Sequence, residues 1–157
     1  MLETIALAVT IAASGLQTPG ESETQVYGGS EVDRCGWPST VYLSSSEGAC
    51  TGVLVHPLIV MTAAHCVSDD VASSVRFGES GNTAQPLVQT AYCRQGPGWT
   101  GATGTGQDYA YCKLKAPVTS VPIIPVASGC EESAIQPGAR IMHVGFGVDE
   151  NGQSGRK

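Results

Sequence analysis

From Val26 onward, short runs of alternating apolar and polar residues are separated by glycine, proline and serine. Alternation with a period of two places successive side chains on opposite faces of a strand, and the separating residues are typical of turns. The pattern predicts an all-β chain folded as a small closed barrel of six antiparallel strands. The predicted strands cover residues 40–44, 50–55, 59–63, 74–77, 85–92 and 108–114.

The segments between these runs predict the connections. His56 and Pro57 interrupt two apolar runs and predict a hairpin turn, because proline has no N–H to donate to a sheet. Residues 96–106 contain Pro97 and five glycines, which predicts a surface loop. Residues 121–126 contain two prolines and predict an extended linker.

The N-terminal region has the pattern of a targeting segment. Residues 5–13 are apolar and are followed by the small residues Ser14 and Gly15, as in a secretory signal peptide. The apolar run is too short to cross a bilayer. Glu3 is atypical of a signal peptide, and the alternative is a buried N-terminal strand or helix. Residues 17–25 are polar and acidic, which predicts an exposed pro-segment.

Composition and charge limit the classes of function. The chain has 157 residues, of which 41% are hydrophobic, enough for one modest core and part of another. The net charge is -6 with only 8 Lys and Arg residues, which argues against a nucleic-acid partner because phosphate binding needs clustered basic side chains.

Six cysteines are present, and no two of them are spaced as a Cys-x-x-Cys pair. Wide spacing and an even number favour disulfides over a zinc site and indicate an oxidising compartment. Cys93 directly follows the predicted strand 85–92 and Cys112 lies on the predicted strand 108–114, on the two sides of the glycine-rich loop, so we expect them to pair. Cys35 and Cys130 remain; they pair with each other, or Cys130 has a partner outside this chain.

Two segments carry side chains suited to acid–base chemistry. The sequence Thr-Ala-Ala-His-Cys at residues 62–66 ends an apolar run with His65, and Asp108 begins the segment 108–114, ahead of its alternating residues. A neutral imidazole can take a proton from a nucleophile, and a carboxylate can fix its tautomer. His56 and His143 have no such partner in the sequence and are interpreted as structural.

These motifs resemble the trypsin-like serine protease family, which has the chymotrypsin fold, over almost all of residues 26–157. The sequence Val-Tyr-Gly-Gly at residues 26–29 is similar to the mature N-terminus that zymogen cleavage creates. Residues 50–54 (Cys-Thr-Gly-Val-Leu), followed by residues 62–66, resemble the family's histidine loop, and Asp108 stands where the family has its buried aspartate. Residues 144–147 (Val-Gly-Phe-Gly) resemble the Gly-Trp-Gly segment that opens the second barrel, with phenylalanine in place of tryptophan.

The resemblance implies a secreted serine-type endopeptidase that hydrolyses peptide bonds through an acyl-enzyme. His65 would be the general base and Asp108 the residue that orients it, and a Cys50–Cys66 disulfide would hold the backbone beside His65. Cleavage after Gln25 would expose Val26, and because Gln25 is not basic, either a different protease or an atypical activation site is implied. The implied organisation is a signal peptide and pro-segment at residues 1–25, a first barrel at 26–120, and a linker with the start of a second barrel at 121–157.

The resemblance also implies a catalytic serine well beyond Asp108. Ser154, in the sequence Gly-Gln-Ser-Gly at residues 152–155, is similar to the Gly-Asp-Ser-Gly-Gly context of that nucleophile but lacks the aspartate and comes too early in the chain. The 157-residue chain is therefore expected to be inactive alone and to leave Ile141, Val144 and Phe146 exposed. A non-catalytic, protease-like binding module and a small disulfide-rich structural protein are the alternatives. Expected partners are a protein or peptide substrate and an activating protease, without a membrane in the mature form.

No cofactor and no metal are expected. Glu79, in the sequence Gly-Glu-Ser-Gly-Asn at residues 78–82, is reminiscent of a calcium loop. One carboxylate supplies too few oxygen ligands for calcium, however.

Overall fold

The computed structural model describes residues 29–81, 86–103, 106–149 and 151–157. The predictions for the signal peptide, the pro-segment and the N-terminus at Val26 lie outside these residues. Within the described ranges, no helix is long and apolar enough to span a bilayer.

Six antiparallel strands form a closed barrel in the order β1-β2-β3-β6-β5-β4, which confirms the predicted fold. Four of the six pairings join strands that are consecutive in the chain, and the barrel closes where β3 pairs with β6 and β1 pairs with β4. The strands are β1 (Thr40–Ser45), β2 (Gly48–His56), β3 (Ile59–Thr62), β4 (Ser74–Arg76), β5 (Leu87–Gln95) and β6 (Ala110–Leu114).

Two strand ends differ from the sequence prediction in ways that matter for the site. Strand β5 continues to Gln95, three residues beyond the predicted end, because its last residues still pair with β6. Strand β6 begins at Ala110, so Asp108 lies just before the strand rather than at its start. The carboxylate of Asp108 is therefore carried by the end of the glycine-rich loop.

Alternation along each strand fills the barrel interior. In β6, Ala110, Cys112 and Leu114 point inward and are buried, whereas Tyr111 and Lys113 are exposed. The same alternation gives each strand one apolar face, and burial of these faces stabilises the barrel. The fully buried core side chains include Val41, Leu43, Leu54, Val60, Val75, Cys93, Cys112 and Leu114.

Gly52 allows β2 to lie close against β3. A Cβ atom at this position would stand 2.6 Å from Cγ1 of Val60 and 3.2 Å from the carbonyl oxygen of Met61. Neither neighbour has room to move, since Val60 is fully buried and Met61 belongs to the paired strand. The Cys-Thr-Gly motif therefore meets a packing requirement of the barrel.

Residues after β6 contain no strand within the described ranges, only a 3-10 helix at Gly129–Ala134. Ile141 is 76% exposed, as predicted, and Val144 is partly buried. The prediction that Phe146 is exposed is wrong, because it is only 4% exposed. Its ring packs edge-on against Tyr42, with the ring centroids 5.7 Å apart, and its main-chain N–H donates a 2.9 Å hydrogen bond to Oγ1 of Thr51.

The last described residues pack against the start of the barrel. The main-chain N–H of Lys157 donates to the carbonyl oxygen of Glu79, and Nζ of Lys157 donates to the carbonyl oxygen of Trp37. Burial lowers the pKa of Lys157, and the negative charge of Glu79 opposes that shift. The Glu79 carboxylate itself accepts a hydrogen bond from the main-chain N–H of Cys35, so this side chain has a structural partner in the fold.

Candidate active site

His65 lies on a single 3-10 turn, Ala64–Cys66, directly after β3. Ala64 and Cys66 are buried, while the His65 side chain is 50% exposed. The small side chains of Ala63 and Ala64 let this turn approach the barrel, and the turn then directs the imidazole toward solvent. The local sequence therefore buries the backbone of the turn and exposes its one titratable group.

Asp108 is brought to His65 by the pairing of β3 with β6. Thr62, the last residue of β3, pairs with Ala110, the first residue of β6. The residues just outside this pair consequently meet at the same end of the barrel. Oδ2 of Asp108 lies 2.6 Å from Nδ1 of His65, and Oδ1 accepts a 2.9 Å hydrogen bond from the main-chain N–H of His65.

The hydrogen bonds of Asp108 favour its ionised form. Its side chain is 20% exposed, and burial acts to raise the pKa. Hydrogen bonds from the main-chain N–H and the ring of His65, together with the His65 charge and the main-chain N–H of Ala64, outweigh this and lower the pKa of Asp108. An ionised carboxylate beside Nδ1 selects the tautomer that carries its proton on Nδ1, which leaves Nε2 as a proton acceptor.

Two disulfides hold this end of the barrel. Cys50 on β2 is bonded to Cys66, the residue after His65, with their Cα atoms 6.0 Å apart. Cys93 on β5 is bonded to Cys112, its direct partner across the sheet on β6. Both predicted bonds are present in the structure. The Cys35 and Cys130 thiols are exposed and unbonded, so the first of the two alternatives for these residues, a bond between them, is absent from the structure. The second alternative, a partner of Cys130 outside this chain, stays a prediction.

A three-residue cluster beside the turn has donor atoms that metal ions accept. One donor atom from each of Cys50, His65 and Cys66 lies within 4.8 Å of the others. The two sulfur atoms are bonded to each other, however, so they do not offer thiolate ligands. The chemistry that this arrangement supports is proton transfer at the imidazole.

The remaining sequence candidates lie elsewhere in the fold. Among the described residues, no hydrogen bond joins Ser154 to His65. The next residue, Gly155, forms main-chain hydrogen bonds with Gly81 and Phe146.

The other two histidines also lie away from the site. His56 lies at the hairpin turn, where its Nδ1 accepts a hydrogen bond from the main-chain N–H of Leu58. His143 is exposed in the segment after the 3-10 helix.

Sequence reasoning missed Gln95. Its side-chain amide donates hydrogen bonds to the carbonyl oxygens of Ala64 and Val67, on either side of His65. A glutamine that binds main-chain groups leaves no pattern in a sequence. The prediction that β5 ends at residue 92 also left Gln95 outside the strand that carries it to the histidine turn.

Comparison with known proteins agrees with this geometry. A family model described as Trypsin matches residues 26–157. Chymotrypsin-like elastase family member 1 is 31% identical over 109 residues in Rattus norvegicus and 30% identical over 147 residues in Canis lupus familiaris. These matches cover 63% and 85% of this chain, but 41% and 56% of the two relatives. Granzyme M of Homo sapiens is 29% identical over 157 residues, covering 96% of this chain and 61% of the relative.

A solved structure agrees at the level of the fold. The structure of HL collagenase superposes with a TM-score of 0.59 at 22% identity, covering 69% of this chain and 50% of that one. This chain thus spans about half the length of the proteins that it matches. The family match extends over the barrel, the histidine turn and the segment that carries Phe146. The chain belongs to the trypsin family of serine proteases.

Proposed function

We propose that the protein is a secreted serine-type endopeptidase in which this chain supplies His65 as the general base and Asp108 as its orienting partner. The observation that carries the proposal is the double contact of Asp108 with His65, through the ring at 2.6 Å and through the main-chain N–H at 2.9 Å. This contact fixes both the tautomer and the plane of the ring. The catalytic serine, the oxyanion donors and the specificity pocket would come from residues outside these 157.

The proposed reaction uses the free Nε2 of His65. A serine hydroxyl gives its proton to Nε2 as its oxygen attacks the carbonyl carbon of the scissile peptide. The imidazolium, stabilised by Asp108, then gives that proton to the leaving amine, and an acyl-enzyme remains. Water attacks the acyl-enzyme by the same route, and its proton passes through His65 to the serine. The substrate class is a protein or peptide.

The domain organisation is part of the proposal. Residues 1–25 would be a signal peptide and pro-segment, residues 26–120 the first barrel, and residues 121–157 a linker and the start of a second barrel. Two disulfides within one barrel favour an oxidising, extracellular setting. Activation would expose Val26, and amino-terminal sequencing of the active, secreted protein would test this assignment.

The decisive experiment uses the full-length protein with a serine-directed fluorophosphonate and a peptide substrate. We expect covalent labelling and peptide cleavage, both lost in His65→Ala. His143→Ala is the matched control and should keep both, since His143 is exposed and lies outside the barrel. A natively folded protein that neither labels nor cleaves would contradict the proposal and support the alternative of a non-catalytic binding module.

A further inference from the structure

Gln95 joins the end of β5 to the turn that carries His65. Its Nε2 atom donates a 2.9 Å hydrogen bond to the carbonyl oxygen of Ala64 and a 2.7 Å hydrogen bond to that of Val67. These two carbonyl groups flank His65 and Cys66 in the chain. Because both acceptors are carbonyl oxygens, only the amino side of the glutamine amide can face them.

The Gln95 bonds close the same turn that the main chain closes. Two main-chain hydrogen bonds of 3.2 Å form the short turn around His65: the N–H of Cys66 donates to the carbonyl oxygen of Ala63, and the N–H of Val67 donates to that of Ala64. A turn this short is weak on its own. The two protons of the Gln95 amide therefore add a further connection between the ends of the turn.

The main chain at the end of β5 is also held by hydrogen bonds to the segment that follows the histidine turn. The N–H of Gln95 donates to Oδ1 of Asp69 at 2.7 Å, and the N–H of Asp70 donates to the carbonyl oxygen of Cys93 at 3.0 Å. Gln95 also pairs directly with Ala110 on β6, two residues after Asp108. The strand that holds the histidine turn is thus the neighbour of the strand that follows the aspartate.

We infer that Gln95 is a positioning residue that sets the distance and angle between His65 and Asp108. The inference rests on the proposed function for its effect on the reaction rate. Asp108 is placed by β6 and His65 by its turn. Gln95 connects the two, through its side-chain hydrogen bonds to the turn and its main-chain pairing with β6. The Cys50–Cys66 disulfide fixes one side of the turn, and Gln95 fixes the side that faces β5 and β6.

Two substitutions separate shape from hydrogen bonding. Gln95→Met keeps the length of the side chain and removes both donors. Gln95→Glu keeps the shape but replaces the donating amide with a carboxylate. A carboxylate has no proton to donate to the two carbonyl oxygens, and its negative charge is repelled by them. We expect kcat of the full-length protein to fall by about 10²-fold in both variants, since a small misplacement of a catalytic group has an effect of that order. KM should stay within about twofold, because both side-chain hydrogen bonds of Gln95 go to the main chain of the histidine turn.

A readout that does not depend on activity tests the positioning directly. In proton NMR spectra, the Nδ1–H of His65 should give a low-field resonance in the wild type because it is hydrogen-bonded to Asp108. In Gln95→Met we expect this resonance to move upfield or to be lost by exchange with water, while the dispersed resonances of the barrel core remain.

Two controls complete the experiment. Gln89→Met, on the exposed face of the same strand, should change neither kcat nor the resonance. Thr90→Val removes two hydrogen bonds to Ser73 inside the barrel, away from the turn, and matches Gln95→Met in the number of bonds lost. It should lower the melting temperature but keep the His65 resonance.

The outcomes distinguish this inference from the proposed function. An unchanged His65 resonance in folded Gln95→Met, or a loss of that resonance in Thr90→Val as large as in Gln95→Met, would overturn the role of Gln95. A wild-type protein that shows the resonance but cleaves no peptide would contradict the proposed function, and the comparison of resonances would still decide the role of Gln95.

Discussion

Asp108 binds His65 at two points, the ring nitrogen Nδ1 and the main-chain N–H, using one carboxylate oxygen for each. One hydrogen bond would leave the ring free to rotate about the contact. Two bonds from one rigid carboxylate define where the histidine backbone lies and which way its ring faces. Preorganisation of this kind lowers the reorganisation needed when the imidazole takes a proton.

Asp108→Asn tests the role of the carboxylate. An amide in place of the carboxylate stabilises the wrong tautomer and removes the negative charge, so we expect kcat of the full-length protein to fall by about 10⁴-fold. Steady-state kinetics with a peptide substrate would measure this. Asp70→Asn, which changes an exposed pair with Arg94, should leave kcat within about twofold. A loss smaller than tenfold in Asp108→Asn would argue against the orienting role.

The lowered pKa of Asp108 predicts a specific acid response of stability. Burial opposes the shift, but the hydrogen bonds from His65 bring the pKa below its usual value of 3.8, so the unfolded chain binds this proton more tightly than the folded chain. The stabilisation is therefore complete above the unfolded pKa and is lost as pH falls through the lower, folded pKa. Urea unfolding from pH 6 to pH 2 should show a higher free energy of unfolding for the wild type than for Asp108→Asn at the upper end of the range. This difference should disappear below about pH 4. A constant difference across that range would contradict the assignment.

The Cys50–Cys66 bond is expected to stabilise the barrel as well as the turn. Its two residues are 16 positions apart in sequence. Loop closure of that length stabilises by about 3 kcal/mol in the chain-entropy model. The double variant Cys50→Ser/Cys66→Ser should lose roughly this amount in urea unfolding. Cys35→Ser removes an exposed, unbonded thiol and should change stability by less than about 0.5 kcal/mol.

Phe146→Ala tests how the segment after the 3-10 helix is attached to the barrel. The buried ring contacts Tyr42, and its removal should cost about 3 kcal/mol if the site cannot collapse. Native-state hydrogen exchange should then show lower protection of Gly155 and Gly81, whose amides belong to this attachment. The amide of Cys112 in the barrel should keep its protection. Ile141→Ala, at a residue 76% exposed, is the control and should have little effect.

The sequence predicted the fold and the pair of residues in the candidate site because both depend on local patterns. Alternation defined the strands, and the position of Asp108 ahead of an alternating run was enough to place it near the end of a strand. The sequence did not place Phe146, because an aromatic residue between glycines gives no period from which to infer burial. Gln95 was missed for a different reason, since a side chain that binds carbonyl groups can do so from many positions.

The pairing of β3 with β6 also decides when the site exists during folding. His65 follows β3, and Asp108 precedes β6. Because β4 and β5 lie between these two strands in the chain, the pairing of β3 with β6 has to close a long loop. Such nonlocal pairings form late and slowly compared with hairpins, because the entropy of closing the loop opposes them before any contact is made. A nascent chain in which only the first three strands have formed would carry the histidine without its carboxylate. We therefore expect the Asp108–His65 pair to form only when the barrel closes.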